Sequence, residues 1–400
     1  MTGHLSLRAR GTNPSATLAI AAIAKRMKAE GIDVVDFGLG EPDFETPPHV
    51  KEAAIQAIRD GFTRYTAASG IEELKDAVTT KLKRDNGLSY SREEVIVSCG
   101  SKHSLFNIAE AVLEPGDEVI IPSPYWVTYT EQIRLVGGRP VLVQTREEDG
   151  FRVTRSAIES AMTPRTKVVL LNSPCNPTGA MIPGDRLEAI AALAVERDLL
   201  LISDEAYESL TYDGHAHVSI ASFGEAVKRR TILVNTVSKT YAMTGWRIGY
   251  AAGPTDIVTA MGNIQSQVTS NPTSIAQKAA VAALLGSQEP VRAMRAEFDT
   301  RRRYLVGRLN AIPGLTCTNP EGAFYLFPNV SGFYGRRADG SPIRNSAEMA
   351  AYLLQKAHVA LVPGIEFGSD AHLRLSYAAP MDTLIKGADR LQRAWGELRD

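Results

Sequence analysis

The sequence predicts an α/β fold: a mostly parallel sheet covered by helices on both faces, in a chain long enough for two domains. Three observations predict it. Between residues 95 and 252, short apolar runs alternate with amphipathic helical patterns, the signature of a buried parallel sheet. The 400 residues with 44% hydrophobic content can bury a large core. Beyond about residue 290 the pattern changes to long helical stretches with a few strands, at 323–328 and 372–376.

Along the chain, residues 16–29 carry a helical rhythm after Asn13-Pro14-Ser15, with Ser15 as a plausible N-cap. Val34 to Phe37 reads as a short strand entering Gly38-Leu39-Gly40-Glu41-Pro42-Asp43-Phe44. This Gly-x-Gly lacks the third glycine and following helix of a dinucleotide site, although such glycines let a backbone N–H approach a ligand. Helical patterns at 48–60 and 71–86 flank the polar-aromatic loop Thr63-Arg64-Tyr65-Thr66. A strand at 95–98, a turn at Gly100-Ser101-Lys102 and a helix at 102–113 together form an anion site from free N–H groups and the helix dipole. Further strands are expected at 118–122, 139–143, 167–171, 199–203, 231–235 and 248–252. Ligands in such sheets sit beyond the C-terminal ends of the strands, so the polar residues after these runs carry the chemistry.

Three of those loops stand out. Asn172-Ser173-Pro174-Cys175-Asn176-Pro177-Thr178-Gly179 holds Asn176 between prolines, and Ser203-Asp204-Glu205-Ala206-Tyr207 puts a carboxylate at a strand end. Ser238-Lys239 follows the buried run Thr231-Ile232-Leu233-Val234, and the polar stretch up to Arg247 reads as a turn leading to the apolar run at 248–252. A lysine at the mouth of a buried strand is costly unless its charge is neutralised or used covalently. One solution is a lowered amine pKa and condensation with an aldehyde. Pyridoxal 5'-phosphate would supply the aldehyde and an anionic phosphate, which Arg247 could meet bidentately. Asp204 could hold a pyridine nitrogen protonated, since at about 4 Å and an effective dielectric of 20 the attraction is roughly 4 kcal/mol. Tyr207 and Asn176 could then bond the ring's phenolic oxygen. A lone Lys-x7-Arg pair is more often a snorkelling lysine beside a surface arginine, so the weight rests on the combination.

Composition excludes several classes. A formal net charge of -1 and a pI near 6.7 give no electrostatic case for nucleic acid or an anionic membrane. The first ten residues lack an apolar signal core and no run reaches membrane-spanning length, so a soluble, cytoplasmic chain without an export signal is expected. Cys99, Cys175 and Cys317 are odd in number and lack CxxC spacing, fitting reduced thiols. His215 and His217 read as loop residues, and no metal is expected.

Asn-Pro-x-Gly, Asp-x-x-Tyr, Ser-Lys and Gly-x-Arg occur in this order, each after a strand of one sheet. With Gly40-Glu41-Pro42-Asp43-Phe44, Ser123-Pro124-Tyr125-Trp126-Val127 and Ala242-Met243-Thr244-Gly245-Trp246-Arg247, the chain resembles the class I aminotransferases, fold type I pyridoxal-phosphate enzymes. The likeness runs from Asn13-Pro14-Ser15-Ala16-Thr17 to Arg374-Leu375-Ser376-Tyr377 and is strongest to the bacterial aspartate and aspartate/prephenate branch. The resemblance implies that Lys239 holds the cofactor and shuttles the α-proton, that Asp204 pairs with the pyridinium nitrogen, and that Asn176 and Tyr207 bond the ring oxygen. It implies a phosphate held by Arg247, Thr236 and the backbone of Ser101 and Lys102, with Trp126 stacked on the ring. Arg374 would grip the substrate α-carboxylate with Asn176 and the backbone of Gly40. Ser15, Thr17 and Lys102 would face the distal carboxylate. Tyr65 would reach the neighbouring subunit's phosphate, implying a homodimer with shared sites.

The same resemblance implies a smaller α+β domain. Residues 1–45 would join 291–400 in it, around a large cofactor domain at 46–290, and it would close over the substrate. The expected reaction exchanges the amino group of L-aspartate with 2-oxoglutarate. Aromatic, alanine-type or prephenate transamination is the first alternative, and a lyase or decarboxylase on the same cofactor the second. The aspartate/prephenate branch has a lysine where this chain has Asn13, which points to poor prephenate use. An amino-acid-sensing regulator is disfavoured, since only about a dozen residues precede Asn13, too few for a helix-turn-helix.

Overall fold

The computed structural model describes residues 4–14, 16–338 and 340–399. Ser15, expected as an N-cap and a substrate contact, lies outside the described residues.

The described residues form fourteen strands. The first, β1 (Val35–Asp36), precedes the strands of the large sheet: β2 (Val95–Ser98), β3 (Glu118–Ser123), β4 (Arg139–Gln144), β5 (Thr166–Asn172), β6 (Leu200–Asp204), β7 (Thr231–Thr236) and β8 (Gly249–Ala252). The C-terminal region adds β9 (Tyr325–Leu326), β10 (Arg337–Ala338), β11 (Ser341–Pro342), β12 (Val359–Ala360), β13 (Val362–Pro363) and β14 (Leu373–Ser376).

The large sheet has seven strands in the order β2-β8-β7-β6-β5-β3-β4. All neighbours run parallel except β8, which is antiparallel to both β2 and β7. Because side chains alternate along a strand, a sheet covered on both faces needs apolar residues at every position. The core shows this alternation. Val168 and Leu170 of β5 pack in one cluster with Leu105, Ile108 and Met261, whereas Val169 and Leu171 pack in another with Leu187 and Ile190. Both faces are therefore closed by helices, including Ser101–Val112 and Thr255–Val268 on one side and Gly184–Glu196 on the other.

Strand order reverses where β5 pairs with β3 on the side opposite β4. The crevice at such a reversal, beyond the carboxyl ends of the strands, is where a ligand can enter an α/β sheet. Asn172 of β5 lies opposite Asp204 of β6, and Asp204 opposite Val234 of β7, so three strand ends deliver their loops to one rim.

The β1–β12 pair ties the N-terminal segment to the C-terminal region. Val35 of β1 pairs in parallel with Val359 of β12, and β13, β14 and β9 form a three-stranded antiparallel sheet. Val35 and Phe37 share a core with Phe298, Phe324, Leu373 and Trp395. Two long helices, Glu289–Asn310 and Met381–Glu397, flank this core. The strand expected over 323–328 is shorter than its apolar run, covering only Tyr325 and Leu326. Ala323 before it has a φ of 58°, a left-handed conformation that cannot sit in a strand. The polar stretch after β7 also differs from a plain turn: Val237–Thr240 forms one helical turn and Thr244–Trp246 a short 3₁₀ turn. The Thr236 hydroxyl accepts from the Ser238 backbone N–H at 3.1 Å and caps the first of these. No described helix is long and apolar enough to cross a membrane.

Candidate active site

A cleft of about 410 Å³ opens beyond the rim of β5, β6 and β7, and most of the expected site residues line it. Lys239, on the helical turn after β7, donates from Nζ to the Gly40 carbonyl oxygen at 2.5 Å. Burial lowers its amine to about 8, Glu41 and Asp204 pull the other way, and Arg374 and Arg247 reinforce the fall. A lysine so placed is neutral in a substantial fraction near pH 8, as a nucleophile or base must be.

Asp204 ends β6 and is 3% exposed. Burial lifts its carboxyl to about 6, against the hydrogen bonds it accepts from the Tyr129 hydroxyl at 2.7 Å and the Ala206 backbone at 3.2 Å. A buried carboxylate in that condition is poised to ionise fully when a cation arrives beside it.

Arg374 comes from β14 and is 1% exposed. Its guanidinium lies between the rings of Tyr325 and Phe367, 4.7 and 4.9 Å from their centres. It donates to Asn176 Oδ1 at 3.0 Å and to the Gly38 carbonyl oxygen at 2.7 Å, while its Nε has no partner. Among the described residues no carboxylate pairs with it, an arrangement that asks for an anionic ligand.

On the opposite side, Arg247 lies against the start of the Ser101–Val112 helix. Its own backbone is left-handed, with a φ of 56°, which turns the guanidinium back to donate to the carbonyl oxygens of Thr244 at 2.8 Å and Cys99 at 3.3 Å. Gly100 makes this approach possible: a Cβ there would stand 2.4 Å from Arg247 Nη2. The cradle combines a guanidinium with the N–H groups of a helix's first turn, which have no intrahelical acceptor. Lys102 sits in that turn with Nζ 5.0 Å from the centre of the Trp126 ring, and burial lowers its amine.

The cleft thus brings together Thr17, Gly40, Ser101, Lys102, Trp126, Asn176, Asp204, Tyr207, Lys239, Arg247 and Arg374. Thr17 contributes a buried hydroxyl without a partner among the described residues. Thr236 and Tyr65 are not among the lining residues. The Thr236 hydroxyl is turned into the β7–β8 junction, bonding Ile248 O at 2.9 Å and Ser238 Oγ at 2.8 Å, and Ser238 lines the cleft instead. Tyr65 is 91% exposed.

Four contributors escaped the sequence reading. Tyr129 holds Asp204, and Asn172 accepts from the Asn176 backbone at 2.9 Å while donating to Asp204 O at 3.0 Å. Tyr325 reaches from β9 so that its hydroxyl meets that of Tyr207 at 2.9 Å. Gly38 supplies a carbonyl that fixes Arg374. Asn172 and Gly38 lie in loops the sequence singles out, whereas Tyr129 and Tyr325 carry no local signal.

Comparison with known proteins accords with this geometry. The family model described as aminotransferase class I and II matches residues 32–391. An aspartate aminotransferase of Geobacillus stearothermophilus is 49% identical over 389 residues, covering 97% of this chain and 98% of that protein. An aspartate/prephenate aminotransferase of Nitrosomonas europaea is 46% identical over 390 residues, covering 97% and 98%. The crystal structure of the aspartate aminotransferase from Rhizobium meliloti superposes with a TM-score of 0.95 at 44% identity, covering 99% of each chain. Fold, cleft and sequence agree across nearly the whole length, and the chain belongs to the class I and II aminotransferases.

Proposed function

We propose that the protein exchanges the amino group of L-aspartate with 2-oxoglutarate, forming oxaloacetate and L-glutamate in a ping-pong cycle with pyridoxal 5'-phosphate. The observation that carries this reading is one cleft holding a lysine with a lowered amine pKa, a buried carboxylate and a buried, carboxylate-free arginine. The residues fit the cofactor. The Arg247–helix cradle suits a phosphate, Asp204 suits a protonated ring nitrogen, and Asn176 and Tyr207 offer donors for a ring oxygen. Bound there, pyridoxal phosphate would supply an aldehyde for the amino group and a protonated ring that accepts the electron pair freed with the α-proton.

The protein's own groups do the rest. Lys239 Nζ, neutral above about pH 8, takes up and returns the α-proton. Arg374 binds the α-carboxylate common to all donors and acceptors and so fixes the Cα–H toward Lys239. Trp126, beside Tyr129 at 5.4 Å, forms an aromatic wall suited to a flat ring. Residues 1–45 with 291–400 act as the smaller unit over 46–290, a division supported by the β1–β12 pairing, and their closure excludes water.

The distal carboxylate is met by Lys102 and Thr17. This is a less demanding recognition set than a bidentate arginine clamp. Aspartate and glutamate are therefore the preferred donors, with measurable leakage to neutral and aromatic ones. Prephenate is poor, since the neutral Asn13 stands where the aspartate/prephenate branch has a lysine. In a single-turnover panel of amino donors, Lys102→Ser should depress kcat/KM for acidic donors about tenfold relative to alanine, the value of one charge-assisted hydrogen bond. Wild type favouring aromatic or alanine-type donors tenfold or more over aspartate, about 1.4 kcal/mol, would sink the aspartate reading and leave the transaminase class.

The exposed Tyr65 is assigned to the site of a second copy in a homodimer. Mixing inactive Tyr65 and Lys239 variants should then restore part of the activity, because one site of the hybrid holds both intact residues. Subunit exchange demonstrated by mass spectrometry without recovery would count against shared sites.

A further inference from the structure

The turn after β6 has two faces. Asp204, Ala206 and Tyr207 line the cleft, whereas Glu205 and Glu208 point the other way into a buried polar cluster. Glu208 is paired with Lys81, itself 3% exposed, and accepts from Asn86 at 2.8 Å and Asn235 at 2.7 Å. Glu205 Oε1 accepts from Ser203 at 2.9 Å and Ser219 at 2.7 Å. Its second oxygen lies 3.1 Å from His217 Nε2, and neither atom makes an aligned hydrogen bond. The His217 side chain is 7% exposed and its Nδ1 also lacks a partner.

Two buried carboxylates and one ammonium leave one negative charge unmatched, an expensive condition in a low-dielectric interior. Glu205, Glu208 and His217 come close enough together to suggest a metal site. A divalent ion, however, would overshoot the balance beside Lys81 and compete with the three donors already on Glu208. An imidazolium closes the balance.

We propose that His217 is a positioning residue: paired with Glu205 as an imidazolium, it neutralises the buried back of the Asp204–Glu208 turn and so fixes Asp204 and Tyr207 in the cleft. The role rests on the assignment of those two residues to the cofactor ring. The electrostatics agree. Burial would lower the His217 pKa, but Glu205 and Glu208 outweigh burial and Lys81, and the net direction is upward. Asp85 of the Glu72–Asn86 helix also borders the cluster. Tyr90 and Tyr250, which feel the Glu205 charge, are pushed by burial far into their neutral form. A histidine whose folded pKa is raised contributes stability fully below its unfolded value of about 6.5 and loses it as pH rises through the folded value.

The test compares His217→Gln, Glu205→Gln and the double variant with wild type. His217→Gln should melt several degrees lower at pH 6 and approach wild type by pH 9. In the holoenzyme it should lower kcat about tenfold with KM changed less than about twofold, and shift the pH titration of the bound cofactor's absorbance by about one unit. The double variant, with its charge balance restored, should recover most of both losses. Should His217→Gln fail to fold, Glu205→Gln alone should lower the histidine pKa read by proton NMR. A melting deficit independent of pH and unrelieved in the double variant would reduce His217 to packing, and an unchanged histidine pKa in Glu205→Gln would overturn the pairing. Saturable Zn²⁺ binding to wild type, lost in His217→Gln, would overturn it in favour of a metal site. These melting and NMR readings are made on the apo protein, so they stand apart from any failure of the proposed reaction.

Discussion

Lys239→Ala should leave no measurable multiple-turnover transamination, a loss of about 10⁴-fold or more, because the variant removes both the attachment point for the aldehyde and the base for the α-proton. The fold should survive. Below pH 8 the charged amine is a burden on the folded state: its folded pKa of about 8 lies under the ordinary value of 10.5. The unfolded chain therefore holds more protons between those values, so the cost is full below about 8 and fades as pH rises toward 10.5. The apo variant should accordingly melt no lower than wild type at pH 7, which separates lost chemistry from lost structure. The same shift sets a pH dependence. Uptake of pyridoxal phosphate by the apo wild-type protein should accelerate through about pH 8 and level off above it, since only the neutral amine reacts. Turnover by Lys239→Ala within tenfold of wild type would remove the whole assignment of the site.

What could be read from the sequence follows from how local each signal is. The strands of the large sheet are short apolar runs bounded by turn residues, and their ends carry Asp204, Asn176 and Lys239 at positions a linear scan can inspect. Arg374 was legible only through its motif, for its place in the cleft depends on β14 and the C-terminal core. Tyr129 looks like any core tyrosine of an amphipathic helix, and the acceptor of its hydroxyl lies 75 residues further on. Tyr325 stands 118 residues from Tyr207, so their hydroxyl contact belongs to the packing of β9 over the sheet rather than to any spacing. The helical turn at Val237–Thr240 is four residues long, too short to show a period of 3.6. The polar cluster behind Asp204 was unreadable for the same reason: Lys81, Glu205 and His217 come from three separate segments, and His217 reads locally as a loop histidine.

These missed partners alter how the Asp204 carboxylate works. Asp204 sits at the end of a buried strand with the Tyr129 hydroxyl on one oxygen and the Ala206 backbone on the other, so its orientation is fixed before any ligand binds. Tyr129 also opposes the desolvation that lifts the carboxyl to about 6, keeping the ionised form accessible. Preorganisation of this kind matters because a carboxylate that had to reorient would surrender part of its attraction for a ring cation.

Asp204→Ala should therefore cut kcat roughly 10²–10³-fold, the loss typical of removing one preorganised electrostatic partner from a water-poor site. A ring nitrogen held about 4 Å from Asp204 would gain roughly 4 kcal/mol at an effective dielectric of 20, or about three pKa units. Without it the nitrogen would lose its proton near neutrality, and a neutral ring is a weak acceptor for the electron pair released with the α-proton. KM for aspartate should move little, since Arg374 and Lys102 rather than Asp204 are the groups proposed to take its carboxylates. Tyr129→Phe provides the graded control. It keeps the carboxylate but removes the 2.7 Å hydrogen bond, so the Asp204 pKa should rise and kcat fall about tenfold at pH 7, with the deficit shrinking toward pH 9 as the carboxyl ionises. Spectral titration of the bound cofactor checks both variants directly. If the ring nitrogen stayed protonated to the same pH in Asp204→Ala as in wild type, the electrostatic role given to Asp204 would be wrong, and Tyr129 would lose its role with it.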